Sequence, residues 1–123
     1  MVSILSVSYD QVLLTTRQQV LQTKGYAVTS VRGMSAALKA CSNGASFDLL
    51  ILGHSIPHAE KQTIIEAFRA NRPEGPVIAL KRHGEKPVRD ADLEIEPNPP
   101  ELLEAVAKLI SGMGTAASVR LPE

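Results

Sequence analysis

Two runs constrain this chain most: FDLLIL at 47–52 and PVIALK at 76–81. Both are nearly continuous in apolar side chains and too short for buried helices. Such runs suit strands covered on both faces, as in parallel sheets. SILSV (3–7), YAVTSV (26–31) and the weaker LEIE (93–96) read as three further strands. Helical patterns lie between them. Residues 10–23 place Leu13, Val20 and Leu21 on one face, with Gly25 as a stop. Residues 34–41 are rich in helix formers and end at Asn43-Gly44, and 59–71 carry Ile64, Ile65 and Phe68 at helical spacing. In 99–110, Leu102, Leu103, Val106, Leu109 and Ile110 form one stripe. Asn98 is the expected N-cap there, Pro99 the first helical residue, and Glu101 lies three residues after the cap. Alternation of strands and helices predicts βαβ units, right-handed crossovers and a doubly wound α/β domain. Ligands in such folds sit at the carboxyl ends of the strands.

With 123 residues the chain is most simply one domain, expected over 1–112, with 113–123 (GTAASVRLPE preceded by Met113) as a flexible tail. Thirteen basic residues balance thirteen acidic ones, so no global field draws the chain to nucleic acid or to an anionic membrane. Two tyrosines, two phenylalanines and no tryptophan argue against base-stacking platforms. No apolar run approaches the roughly 20 residues of a membrane span, and residues 2–7 are too short for a signal-peptide core. A soluble cytoplasmic protein is the expectation. Cys41 has no partner for an intrachain disulfide and reads as a small buried hydrophobe. SNGAS (42–46) precedes a strand rather than opening a helix, so it is no phosphate loop.

The chain resembles the receiver domain of two-component response regulators, the CheY-like, flavodoxin-like fold. The resemblance spans roughly residues 3–110 and rests on ILSVSYD at the first strand, KGYAV entering the second, FDLLILGHSIP for the third strand and its loop, PVIAL in the fourth, and Glu96-Pro97 before the last helix. It implies a five-stranded parallel sheet of order 2-1-3-4-5. It also implies a phosphorylation site, and this chain departs from that site at every position. The two acidic residues that hold magnesium in the family correspond to Ser8 and Tyr9, with Asp10 following as a remnant. The phosphoacceptor aspartate, four residues before the loop proline Pro57, corresponds to Gly53. The hydroxyl residue after the fourth strand corresponds to Lys81, the conserved lysine to Glu96 and the aromatic switch residue to Leu93. Phosphoryl transfer needs a carboxylate nucleophile, a metal and donors for the transferred oxygens. Without them the chain reads as a degenerate receiver, a pseudo-receiver with no enzymatic role and no cofactor, acting on a protein partner in a signalling pathway. No effector segment follows, so output is expected through that partner or through a homodimer.

Other readings attach to particular residues. Lys81 and Glu96 reverse the family's charges and are expected to form an ion pair beside Gly53, with a fixed signalling state as its sharper form. His54, His58 and His83 read as rim histidines; together they are weak candidates for a zinc site, since three imidazoles can bind zinc but this spacing does not specify one. His54 or Asp10 would carry any altered phosphotransfer. His54, Tyr9 and Lys81 would line a ligand site or a small enzyme's crevice. The run KRHGEKPVRDAD (81–92) holds Gly84 and Pro87 and little apolar periodicity, so the family's fourth helix should be short or missing. Its Arg82, Lys86 and Arg89 would form a basic interaction edge, or else a solvated loop.

Overall fold

A computed structural model describes residues 2–42, 46–81, 88, 91–96 and 98–120, with side chains as far as Ser111. Five strands and four helices alternate: β1 Ser3–Ser8, α1 Gln11–Gln22, β2 Ala27–Arg32, α2 Gly33–Ser42, β3 Leu49–Leu52, α3 His58–Asn71, β4 Val77–Leu80, β5 Leu93–Ile95 and α4 Pro99–Arg120. The strands form one sheet in the order β2-β1-β3-β4-β5. All four pairings are parallel, with Ile4 opposite Leu49, Leu50 opposite Val77 and Ile78 opposite Leu93. Among the described residues no helix stands between β4 and β5.

The two-faced burial predicted from composition is what the sheet uses. Every residue of β3 and β4 is buried. Alternate side chains feed two cores. Leu5, Val7, Leu50, Leu52, Val77 and Ala79 pack with Ile64, Ile65 and Phe68 of α3 and Ala37 and Cys41 of α2. Ile4, Leu49, Ile51, Ile78 and Leu80 pack with Leu21 of α1 and Leu102, Ala105 and Val106 of α4. Each fully buried aliphatic side chain contributes about 1.5–3 kcal/mol, so the central strands carry much of the stability.

The helix ends follow the local chemistry. Asn98 accepts the Glu101 N–H at 2.9 Å, as an N-cap should, while the Glu101 carboxylate reaches back to the Glu96 N–H at 3.1 Å. Asp10 caps α1 by accepting from Val12 and Leu13 N–H at 2.9 and 3.2 Å. Two expectations need correction. The inward face of α1 is Leu14, Arg17 and Leu21, rather than Leu13, Val20 and Leu21. The backbone of α4 also stays helical past Ile110, to Arg120; the glycines at 112 and 114 weaken a helix without forcing it to stop.

The β4 entry is set by close packing. A Cβ on Gly75 would lie 2.5 Å from the Phe68 ring and 3.1 Å from the Arg72 carbonyl oxygen. Gly75→Ala is therefore expected to destabilise the domain by about 1–3 kcal/mol, read as a shift in the urea midpoint at unchanged slope.

Candidate functional site

The parallel sheet brings the ends of β1 and β3 side by side, and the Gly53 N–H donates to the Val7 carbonyl at 2.8 Å. Ser8, Tyr9, Asp10 and Gly53 thus meet at one edge of the sheet. Ser8 is fully buried there. Its Oγ accepts the Asp10 N–H at 3.0 Å and lies 3.5 Å from the Ser55 Oγ. Asp10 is occupied as the α1 cap.

Sequence reasoning missed the residue that dominates this site. Arg17 projects from α1 toward the strand ends and is only 7 % exposed. A Cβ on Gly53 would sit 3.1 Å from Arg17 Nη1 and 3.0 Å from Ser8 Oγ. The guanidinium therefore occupies space that a side chain at position 53 would enter. Among the described residues neither Nη1 nor Nη2 has a hydrogen-bond partner. Desolvation lowers the Arg17 pKa from its ordinary value, with the Asp10 charge opposing the shift. The available signal was the spacing Leu14-x-x-Arg17-x-x-x-Leu21, which puts a cation inside an apolar stripe.

Tyr9, next to Ser8 in the chain, bridges α2 and α3. Its hydroxyl donates to Glu60 in the first turn of α3 and accepts from the Met34 N–H of α2 at 3.4 Å. Its carbonyl accepts from Arg32 Nε at 3.0 Å. The ring lies against Gly33, whose φ of +88° and 2.8 Å approach both exclude a larger residue.

The Lys81–Glu96 pair is not formed. Lys81 Nζ lies 3.8 Å from Glu94 Oε2, and that same oxygen accepts the Val88 N–H at 2.9 Å. The ladder runs Ala79 opposite Glu94 and Leu80 opposite Ile95, so Glu94 and Glu96 share one face of β5, and Lys81 reaches back along that face to half-buried Glu94 while Glu96 stays exposed. Glu96 is exposed beside the α4 cap. Leu93 is half-buried in β5. His54 is half-buried and His58 exposed at the start of α3. His83, Arg82, Lys86 and Arg89 lie outside the described residues. Among the described residues no group of three or more metal-ligating side chains occurs, and no helix is long and apolar enough to cross a membrane. Cys41 is buried, and burial pushes its thiol pKa up.

A second feature lies on the other flank. β5 is an edge strand. Beside it an open groove of about 330 Å³ is lined by Leu93, Ile95, Glu101, Glu104, Ala105 and Lys108.

Comparison with solved structures identifies the architecture. A response regulator receiver domain protein from Methanospirillum hungatei superposes with a TM-score of 0.79 at 23% identity, over 94% of this chain and 98% of that one. The fold is that of a response-regulator receiver. The response regulator TrrA from Thermotoga maritima, in complex with Mg(2+)-BeF, gives 0.75 at 25% identity over 89% of this chain and 99% of that one. A chemotaxis response regulator of Vibrio cholerae gives 0.74 at 22% over 88% and 98%. No protein-family model matches the chain, and no curated protein matches it either. The receiver architecture is thus present with a strand-end site whose charges are this chain's own.

Two outcomes follow. Burying an ion without hydrogen-bond partners costs several kcal/mol, so Arg17→Met, which removes the charge and keeps most of the volume, should raise the urea midpoint. The hydrogen bond to Glu60 holds the Tyr9 phenol above its ordinary value, the Met34 N–H partly opposing it. A pKa raised in the folded state adds stability that is present below the unfolded phenol value, about 10, and lost as pH rises through the folded one. In a Tyr26→Phe background, ultraviolet titration of Tyr9 should therefore give a midpoint above 10, and Glu60→Gln should lower it.

Proposed function

We infer that this chain is a receiver-like signalling domain that works without phosphorylation, through contact with a protein partner in the cytoplasm. One observation carries the reading: β3 ends in Gly53, with the buried guanidinium of Arg17 against it. An aspartyl phosphate requires a carboxylate at that point, and glycine supplies none. Magnesium requires hard oxygen ligands, whereas this site presents Ser8, Tyr9 and a cation. A cation so placed opposes a divalent metal by the same charge that would attract an anion. Asp10, the remaining acidic residue, is held by two backbone N–H groups of α1, which makes it a cap and a poor nucleophile. Glu96 stands where the family uses a lysine, and its charge repels a phosphoryl group.

The partner reading draws on the β5–α4 flank. An edge strand offers unpaired backbone groups, and half-buried Leu93 and Ile95 line the groove beside it, rimmed by Glu101, Glu104 and Lys108. Apolar centres with charged rims suit protein contacts. The family's dimerisation and output face is formed by these same elements. Here Glu94 pairs with Lys81, so the strand carries its own charge pattern to a partner or a second copy.

The test is direct. Incubation with acetyl phosphate and magnesium should leave the intact mass unchanged, and beryllofluoride with magnesium should leave the amide spectrum unchanged. A phosphoprotein overturns this reading, and a phosphorylated His54 would replace it with altered phosphotransfer.

A further inference from the structure

Arg17 is buried more than nine-tenths, yet both terminal nitrogens of its guanidinium have no hydrogen-bond partner. Folding strips such an ion of its water, and among the described residues no group replaces those hydrogen bonds. Asp10 is the carboxylate that acts on it, and that group is committed to the α1 N-terminus. On the α4 side of the guanidinium there is only a cavity of about 30 Å³, lined mainly by Val20, Leu80, Pro99 and Leu102. It has room for about two waters and offers them few polar partners. On the strand-end side, by contrast, Arg17 Nη1 and Ser8 Oγ close to within 3.1 and 3.0 Å of where a Gly53 Cβ would stand, with the Ser55 hydroxyl 3.5 Å from Ser8. These groups are all donors suited to one kind of ligand: a small anion with several oxygens.

We propose that Ser8, Arg17, Gly53 and Ser55, closed over one another in the apo fold, open into a reversible binding site for a small oxyanion, a phosphate or a carboxylate. The anion accepts from the guanidinium and from the two serine hydroxyls, and it supplies the charge that the apo fold lacks. Entry requires the 53–57 loop to lift, because the guanidinium nitrogens are occluded. Two hydrogen bonds that hold this loop are at the long limit: Ser8 to Ser55 at 3.5 Å and the Ile56 N–H to the Gly53 carbonyl at 3.4 Å. Lifting the loop moves the start of α3, where Glu60 holds Tyr9, so occupancy is communicated to the Tyr9 contact between α2 and α3. The proposal rests on the reading that no covalent phosphorylation occurs at Gly53. It replaces a covalent mark by a dissociable ligand.

The full chain is titrated with sodium phosphate and, separately, sodium acetate, each against sodium chloride at matched ionic strength. Binding is read from the amide spectrum and thermal midpoint. The expected result is a saturable response, centred on the Gly53, His54 and Ser55 amides and reversed by dialysis with no change in mass. Response to phosphate alone assigns a tetrahedral anion; response to acetate as well assigns carboxylates, including acidic side chains. Loss of a charge-assisted donor weakens binding by about ten- to a hundredfold, so Arg17→Met should do so while remaining folded. Gly53→Asp tethers a carboxylate beside the guanidinium and should abolish the response. An unsaturable response, or one equal in wild type and Arg17→Met, reports general salt stabilisation and overturns the proposal. So does a saturable response that persists in Gly53→Asp. A mass increase with acetyl phosphate would instead overturn the phosphorylation-free reading, so the two failures are separable.

Discussion

A strand buried on both faces has no side on which to place a charge. β3 is such a strand: Leu49, Leu50, Ile51 and Leu52 are all 0% exposed. Its neighbours β1 and β4 must be parallel to it, because the crossover helices are what cover its two faces. Once that is set, the polar chemistry of the fold is confined to the carboxyl ends, where the chain leaves the sheet. The site at Ser8 and Gly53 exists because β1 and β3 are adjacent and end together.

What fills that site is a matter of charge and volume. The glycine that follows β3 gives up the volume of a side chain, and the Arg17 guanidinium takes that space from the neighbouring helix. The result is a strand-end site built of a cation and hydroxyls. Lys81 follows β4 and Glu96 follows β5, and Lys81 is paired to Glu94. Two flanks then divide the labour. The β1–β3 end holds the buried charge of Arg17, and the β5–α4 side offers an edge strand and a groove.

The order and type of the elements were legible because they follow from short-range rules. Continuous apolar runs mark two-faced strands. Asn98 and Pro99 mark a helix start, and the cap hydrogen bond to Glu101 is the one those residues predict. The resemblance in FDLLILGHSIP located Gly53. Arg17 stayed hidden because helical periodicity was scored on apolar residues, so the inward stripe was assigned to Leu13 and Val20 instead. A charged residue at an inward position is rare enough to be skipped, and that rarity is what makes it informative. The Lys81 partner differs because Glu94 and Glu96 lie on the same face of β5, two residues apart, and spacing alone does not choose between them.

The sequence by itself determined the α/β class, the alternating strands and helices, and the glycine that follows the third strand. These depend on residue type and on spacing within a few turns of chain. Only the tertiary structure decided what stands against that glycine. Arg17 lies 36 positions from Gly53 in the chain, and nothing local to either one calls for the other. Their contact arises from the packing of α1 against the sheet, which carries a cation into a site already desolvated by the core below it.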